Sequence, residues 1–204
     1  MTFAERLKSM RKKRNLTQKE LADILGIPYQ GISQYERGVR QPKYQTIERI
    51  AKALEAEGVS GYVLNVGGNV RTIGRMSDGS PWQVQIENPN SSDIDNPYIE
   101  SLYLSGEALV TSGGTQRSYT VNGVNYHHII DKDTNYPAEG YLSVSVVSKD
   151  SGIGDALSTA LFCVGVEQGI EILSHFEDSA AMWVLADGSI RYSEGFTEYR
   201  TLKS

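Results

Sequence analysis

With 204 residues, 39% of them hydrophobic and 22% charged, the chain has the composition of a globular protein with room for one sizeable domain or two small ones. The formal net charge of -5 conceals an asymmetry: residues 1–57 carry 12 Lys/Arg against 7 Asp/Glu, and residues 58–204 carry 8 against 18. A basic head suits a phosphate backbone that an acidic remainder repels, so contact with nucleic acid is expected at one end only. The single cysteine, Cys163, lies in the apolar run ALFCVGV and is expected to be a buried thiol, which excludes a disulfide framework. The opening MTFAERLKSMRKKRN has no apolar leader and no run of about 18 apolar residues follows, so no membrane contact and a cytoplasmic location are expected.

From Phe3 to Leu54 the pattern is a succession of short amphipathic helices. Leu7 and Met10 share one face, Leu21, Ile24 and Leu25 a second, and Ile47, Ile50, Ala51 and Leu54 a third. Thr17 followed by Glu20 is a capping box, which starts the second helix at Thr17 or Gln18. Gly26 supplies the sharp exit between two helices, and Gly38 ends the third. Leu21, Ala22, Ile32 and Tyr35 read as core.

The stretch LTQKELADILGIPYQGISQYERG, Leu16 to Gly38, resembles the lambda-repressor-like (Cro/phage-repressor type) helix-turn-helix family, and the likeness extends over residues 3–55. The resemblance implies that the third helix lies in the major groove of double-stranded DNA, the groove with an unambiguous donor and acceptor pattern. Its base-facing side would be Tyr29, Gln30, Ser33 and Gln34. Gln30 and Gln34 stand four apart, and a glutamine amide can pair bidentately with adenine. Gln18 matches a phosphate-contacting position, and Arg37, Arg40 and Lys43 stand where backbone contacts are expected. The alternative is that Gln30 and Gln34 are solvated surface and the head is a protein–protein module.

From Gly61 onward the chain becomes strand-rich: GYVLNV, NVRTIG, WQVQI, IESLYL, SYTVNGVNYHHII and YLSVSVVS. Asn122-Gly123 between alternating runs predicts a hairpin, and residues 88–97 (NPNSSDIDNP) a polar loop. Two helices are predicted near Gly154–Val164 and Glu167–Phe176, then the strand AAMWVLA and a turn at Asp187-Gly188. The order predicts an α+β fold: an all-α head, then a mainly antiparallel sheet with helices on one face. The domains are expected to span 1–57 and 58–204.

Five fragments of this second part, VLNVGGNV, PWQVQIENP, TSGGTQR, YHHIIDKDTNYP and DALSTALFCVG, occur in the order in which the carboxyl-terminal half of the FAD:protein FMN transferases has them. The chain resembles that family from about Gly58 to Phe196. The resemblance implies FAD and magnesium as cofactors and a protein acceptor whose threonine receives FMN through a phosphoester. Asp155 and Thr159, four apart at the start of a helix, match magnesium ligands, with Ser158 at a third position that is sometimes acidic. Hard oxygen donors of that kind suit magnesium. His128 and Ile129 match the segment that borders the flavin, Asp131 and Thr134 follow in the same motif, and Gly67 and Gly68 let backbone come close to a ligand or another strand; all six are expected to contribute to cofactor binding. In each case a plainer reading stays open: Asp155 and Ser158 as capping residues, Gly67-Gly68 as a turn. His127, alternating to the other face, reads as structural.

The family usually has Pro where this chain has Lys132, and often Gly or Leu where Asn135 stands. A preceding half in the family supplies a substantial part of the FAD pocket, a backbone carbonyl to the metal and a K-G segment opening a helix. Here Lys43 falls on that lysine and Tyr44 on the glycine, so the head's last helix, Tyr44 to Glu57, would be shared by both parts. The expected function is a sequence-specific DNA-binding protein carrying a partial flavin- and magnesium-binding domain. The alternative is an active FAD:protein FMN transferase. A homodimer is expected in either case, because a helix-turn-helix reads paired half-sites.

Overall fold

A computed structural model describes residues 2–40, 42, 46, 49–50, 52–53, 56, 58, 60–65, 67–90, 93–114, 118–121 and 124–201. Lys43, Tyr44, Ile47, Ala51, Leu54, Glu57 and the Asn122-Gly123 turn lie outside the described residues. So does the continuity of a helix from Tyr44 to Glu57. The chain forms two compact units, residues 1–60 with 64–66 and residues 61–63 with 67–204.

The first unit opens with α1 (Phe3–Lys13), α2 (Gln18–Leu25) and α3 (Tyr29–Glu36). Thr17 caps α2: its hydroxyl accepts the Glu20 N–H at 3.1 Å, and the Glu20 carboxylate accepts the Thr17 N–H at 2.6 Å. The same reciprocal pair, Thr2 with Glu5, starts α1. Gly26 adopts the left-handed conformation (φ 59°), and the Ile27 N–H returns to the Ala22 carbonyl at 3.0 Å, so the chain leaves α2 sharply and re-enters a helix two residues later. Gly38, also left-handed, closes α3 in the same manner, with the Val39 N–H on the Gln34 carbonyl at 3.1 Å.

Ala22, Leu25, Ile27, Ile32, Tyr35 and Ile50 form the core of this unit, with Phe3, Leu7, Leu21 and Ala53 packed against it. Burying side chains of this size contributes about 1.5–3 kcal/mol each. Two residues assigned to the inner faces by periodicity stand outside: Met10 is 42% exposed and Ile24 is 40% exposed. With helices of 8 to 11 residues the inner stripe is narrow, and Leu7 and Leu25 fill it.

Ten strands follow among the described residues, all but the end of β1 in the second unit: β1 (Tyr62–Asn65), β2 (Asn69–Ile73), β3 (Trp82–Glu87), β4 (Tyr98–Leu104), β5 (Ala108–Gly113), β6 (Ser118–Val121), β7 (Val124–His127), β8 (Tyr141–Ser148), β9 (Ser179–Leu185) and β10 (Ile190–Tyr192). Two helices, α4 (Ser151–Phe162) and α5 (Val166–Leu173), and a 3-10 helix (Phe196–Arg200) complete it. Six strands make one sheet in the order β1-β2-β5-β8-β9-β10, antiparallel from β2 to β10. The mainly antiparallel α+β architecture expected from the element order is therefore present.

Alternation along β8 divides the core in two. Val144 and Val146 join Leu157, Leu161, Phe162 and Trp183 beneath the helices. Val147 joins Leu109, Met182 and Val184 on the other face, which the separate β3–β4 hairpin covers with Val84, Ile86, Leu102 and Leu104. The sheet thus has helices on one face, as expected, and a second, two-stranded sheet on the other.

Three assignments change. ALVTSG forms strand β5 in the middle of the sheet, although its apolar run is too short to announce itself. α4 begins at Ser151, three residues earlier than expected, because the Asp150 carboxylate accepts the Gly152 and Ile153 N–H groups at 2.7 and 3.0 Å. α5 ends at Leu173 and begins at Val166. Cys163, expected to be buried, is half-buried at the end of α4, and that burial raises its thiol pKa.

Candidate functional site

In the first unit α3 presents Tyr29 and Gln30 to solvent, Tyr29 being 49% exposed, with Ser33 and Gln34 one turn further on and half-buried. The pairs 29/33 and 30/34 share one side of the helix, so the four expected reading residues are brought together. Arg37 and Arg40 follow at the helix exit, both exposed, and the Arg37 Nε donates to the Ser33 carbonyl at 3.2 Å.

Behind this surface lies a charged network that the sequence pattern did not reveal. The Arg11 guanidinium on α1 donates to both carboxylate oxygens of Glu36, Nε at 2.5 Å and Nη2 at 2.9 Å, and its Nη1 donates to the Leu16 carbonyl at 2.7 Å. Glu36 is 8% exposed, so this pairing is what makes its burial tolerable. The hydrogen bond from Arg11 holds the Glu36 carboxyl below the usual carboxylate range. Gln18 donates its Nε2 to the same carboxylate at 2.8 Å. Its amide is thus oriented by Glu36, and the first residue of α2 is tied to the last residue of α3.

In the second unit α4 carries Asp155, Ser158 and Thr159. Asp155 is exposed at the fifth residue of the helix, and Asp150 does the capping, so the capping reading of Asp155 does not hold. Thr159 is exposed one turn later on the same side. Ser158 is fully buried, its hydroxyl donating to the Asp155 carbonyl at 3.1 Å and lying 2.8 Å from the Ser112 hydroxyl. It stands behind Thr159 and presents no oxygen outward. Thr159 Oγ1 donates to the same Asp155 carbonyl at 3.2 Å and lies 3.3 Å from Ser112 Oγ. Ser112 belongs to the TSGG segment and reaches α4 from β5; its part in this cluster was not legible from the sequence.

The donor set that faces outward is the Asp155 carboxylate and the neutral Thr159 hydroxyl oxygen. Among the described residues no group of three or more His, Cys, Asp or Glu side chains could hold a metal. A single carboxylate with hydroxyl oxygens fits magnesium, which keeps several waters and takes the rest of its shell from phosphates; it does not fit an all-protein cage.

Gly67 and Gly68, with φ of 55° and 78°, make the tight connection from β1 to β2, and the Gly68 carbonyl accepts the Thr111 N–H at 2.8 Å. The turn is therefore anchored beside Thr111-Ser112. His127 points to the interior: its Nδ1 accepts the Ile129 N–H at 3.3 Å, so Nε2 carries the proton and donates to the Ala138 carbonyl at 3.0 Å. Its ring meets Phe162 edge-on. His128 is exposed. Ile129 is 4% exposed, its side chain in the core and its carbonyl bonded to the Ala138 N–H.

Asp131 organises the loop that follows. Its carboxylate accepts the Asp133 and Thr134 N–H groups at 2.7 and 2.9 Å, which holds its pKa below the usual range, Thr134 contributing most. Thr134 Oγ1 in turn accepts the Tyr136 N–H at 3.3 Å. Both residues thus shape the loop beside exposed His128. Asn135 is left-handed (φ 58°), which glycine and asparagine tolerate best. Lys132 makes only a solvent-exposed pair with Asp133, of little energetic weight.

Residues 43–183 match the model of the ApbE family, and residues 7–57 match that of a helix-turn-helix family, so residues 43–57 fall within both. The FAD:protein FMN transferase of Vibrio cholerae is 31% identical over 155 residues, 75% of this chain and 44% of that protein. That of Klebsiella pneumoniae is 35% identical over 144 residues, 70% and 43%. Among solved structures, the ApbE protein of Thermotoga maritima superposes with a TM-score of 0.69 at 30% identity, covering 77% of this chain and 50% of that one. The flavinyl transferase ApbE of Pseudomonas stutzeri, apo form, gives 0.61 at 27%, covering 78% and 50%. The chain spans less than half the length of these curated relatives.

Proposed function

The chain belongs to the ApbE family and carries a helix-turn-helix, and from that premise we propose that it is a sequence-specific DNA-binding protein of the cytoplasm whose ApbE-type domain binds FAD with magnesium. The observation that carries the reading is the arrangement of the head. Tyr29, Gln30, Ser33 and Gln34 share one side of α3, and Glu36 locks that helix to α1 and α2 through Arg11 and Gln18. Arg37 and Arg40 supply positive charge at its exit, where phosphate contacts position a reading helix. A homodimer would present two such helices to paired half-sites.

In the ApbE-type domain, Asp155 and Thr159 would hold the cation, and magnesium supplies charge neutralisation at the pyrophosphate of FAD. Gly67, Gly68, His128 and the loop ordered by Asp131 and Thr134 would border the flavin. Ligand-dependent spacing of two heads in the dimer would then couple FAD binding to DNA affinity, provided FAD binds one spacing more tightly than the other.

Selection from a randomised duplex pool followed by footprinting tests the reading. Protection of a defined sequence that weakens steeply with added salt is expected. The absence of any enriched sequence would overturn it.

A second reading, an active transferase, is favoured by the exposure of Asp155 and Thr159 together on one side of α4. In it the threonine hydroxyl of an acceptor protein attacks the FMN phosphorus of FAD, the P–O bond to AMP breaks, AMP leaves with the bridging oxygen, and the hydroxyl proton passes to solvent. Incubation with FAD, magnesium and a threonine-bearing acceptor should then yield covalently fluorescent acceptor. No label on the acceptor would remove this reading.

A further inference from the structure

The hydroxyls of Ser112, Ser158 and Thr159 and the carbonyl of Asp155 are joined by four contacts of 2.8 to 3.3 Å. Three hydroxyls own three protons, and each can serve one contact. Every arrangement that uses all three protons inside the cluster therefore spends the Thr159 proton inward, on the Asp155 carbonyl or on Ser112. Thr159 is exposed whereas Ser158 is fully buried, so of the two helix hydroxyls it is the Thr159 oxygen that can turn its lone pairs toward solvent. That oxygen then lies on the same side of α4 as exposed Asp155, a neutral donor with no proton in the way.

Ser112 is the member that makes the arrangement closed. It sits on β5 directly opposite Val144 of β8, 46 residues from Ser158, and its position is set by the sheet, not by the helix. The Thr111 hydroxyl on the other face bonds to Ser145 at 2.8 Å, and the Thr111 N–H bonds to Gly68, so β5 cannot rotate at this point without breaking both. Ser112 gives both hydroxyls a second neighbour; without it the Thr159 hydroxyl is held by the Asp155 carbonyl alone, within its own helix.

We infer that Ser112 is a positioning residue: from the sheet it fixes the Thr159 hydroxyl so that the oxygen lone pairs face a hard divalent cation held with Asp155. The inference rests on the reading of Asp155 and Thr159 as cation ligands, and it assigns to TSGG a task that neither glycine of the segment performs.

Manganese, followed by the paramagnetic resonance of the free ion and titrated with and without FAD, tests it on the full chain. Ser112→Ala should weaken manganese binding about tenfold, the loss typical of a ligand-orienting partner. Ser112→Thr, which restores the hydroxyl, should return it to the level of the unaltered chain, and Asp155→Asn should lose binding altogether. Equal affinity in Ser112→Ala and the unaltered chain, with Asp155→Asn still deficient, would overturn the positioning role while leaving the ligand reading intact. Binding unaffected by Asp155→Asn, or no binding by the unaltered chain under either condition, would overturn both.

Discussion

Gly114 lies flat against His127: a Cβ at this position would fall 2.8 Å from the ring carbon Cδ2 and 3.3 Å from Nε2. The second glycine of TSGG is therefore what lets the imidazole reach the Ala138 carbonyl and settle edge-on against Phe162. Gly114→Ala should push the ring away and break that hydrogen bond, at a cost of about 1–3 kcal/mol from overpacking. Urea unfolding measures the cost, and the nitrogen shifts of His127 report whether the Nε2–H form is lost. Unchanged stability with unchanged shifts would mean the ring has room to spare.

The Arg11–Glu36 pair makes the head sensitive to acid. Glu36 has its folded pKa depressed, first by the hydrogen bond from Arg11, so its contribution is complete above the ordinary carboxylate range and fades as pH falls through the lowered value. Thermal melts of the helical signal from neutral pH downward should show this step, and Glu36→Gln should abolish it. Arg11→Ala, which leaves the buried carboxylate with the Gln18 amide but without its paired cation, should destabilise the head by about 3 kcal/mol.

DNA contacts should divide into two kinds. Replacing Gln30 or Gln34 with Ala is expected to cost about 1–3 kcal/mol on the preferred sequence and little on others, as loss of a base contact does. Replacing Arg37 or Arg40 with Ala should weaken binding to all sequences alike and reduce the salt slope by about one. Binding curves at several salt concentrations separate the two. A uniform loss from the glutamines would return them to plain surface.

Asn135 offers a backbone test free of packing effects, because it is exposed and left-handed. Asn135→Val should destabilise the second unit by about 1–2 kcal/mol, the penalty of a β-branched residue in that conformation, whereas Asn135→Gly should be close to neutral. Denaturant midpoints for the two variants check the ordering.

What could be read from the sequence was local. Thr17 with Glu20, and Gly26 and Gly38 at their helix exits, act over four or five residues, and each occupies the place expected of it. Ala22, Ile32 and Tyr35, read as core within the helix-turn-helix stretch, are buried. Contacts between distant positions were out of reach: Arg11 with Glu36, 25 residues apart, and Ser112 with Ser158, 46 apart, depend on how elements pack. β5 escaped for a related reason. A strand buried on both faces shows no polar alternation, and its last three residues, Thr111, Ser112 and Gly113, look like a loop until the register with β8 places them. Met10 failed in the opposite direction, since periodicity names a face without saying whether anything covers it.

The β6–β7 hairpin is an uncharged, partly apolar strip within an acidic unit. Tyr119 and Tyr126 stack across it with ring centres 5.5 Å apart, and Tyr119 and Val121 are 66% and 47% exposed. No Asp, Glu, Lys or Arg occurs from Ser118 to His128, in the stretch of the chain that otherwise carries 18 acidic residues against 8 basic ones. At low salt, mutual repulsion of that acidic unit is expected to hold the tyrosines of neighbouring molecules apart. Added salt screens the repulsion over about 10 Å at 0.1 M, and over less at higher concentration. Raising the salt concentration is therefore expected to bring the hairpins of neighbouring molecules within reach of one another.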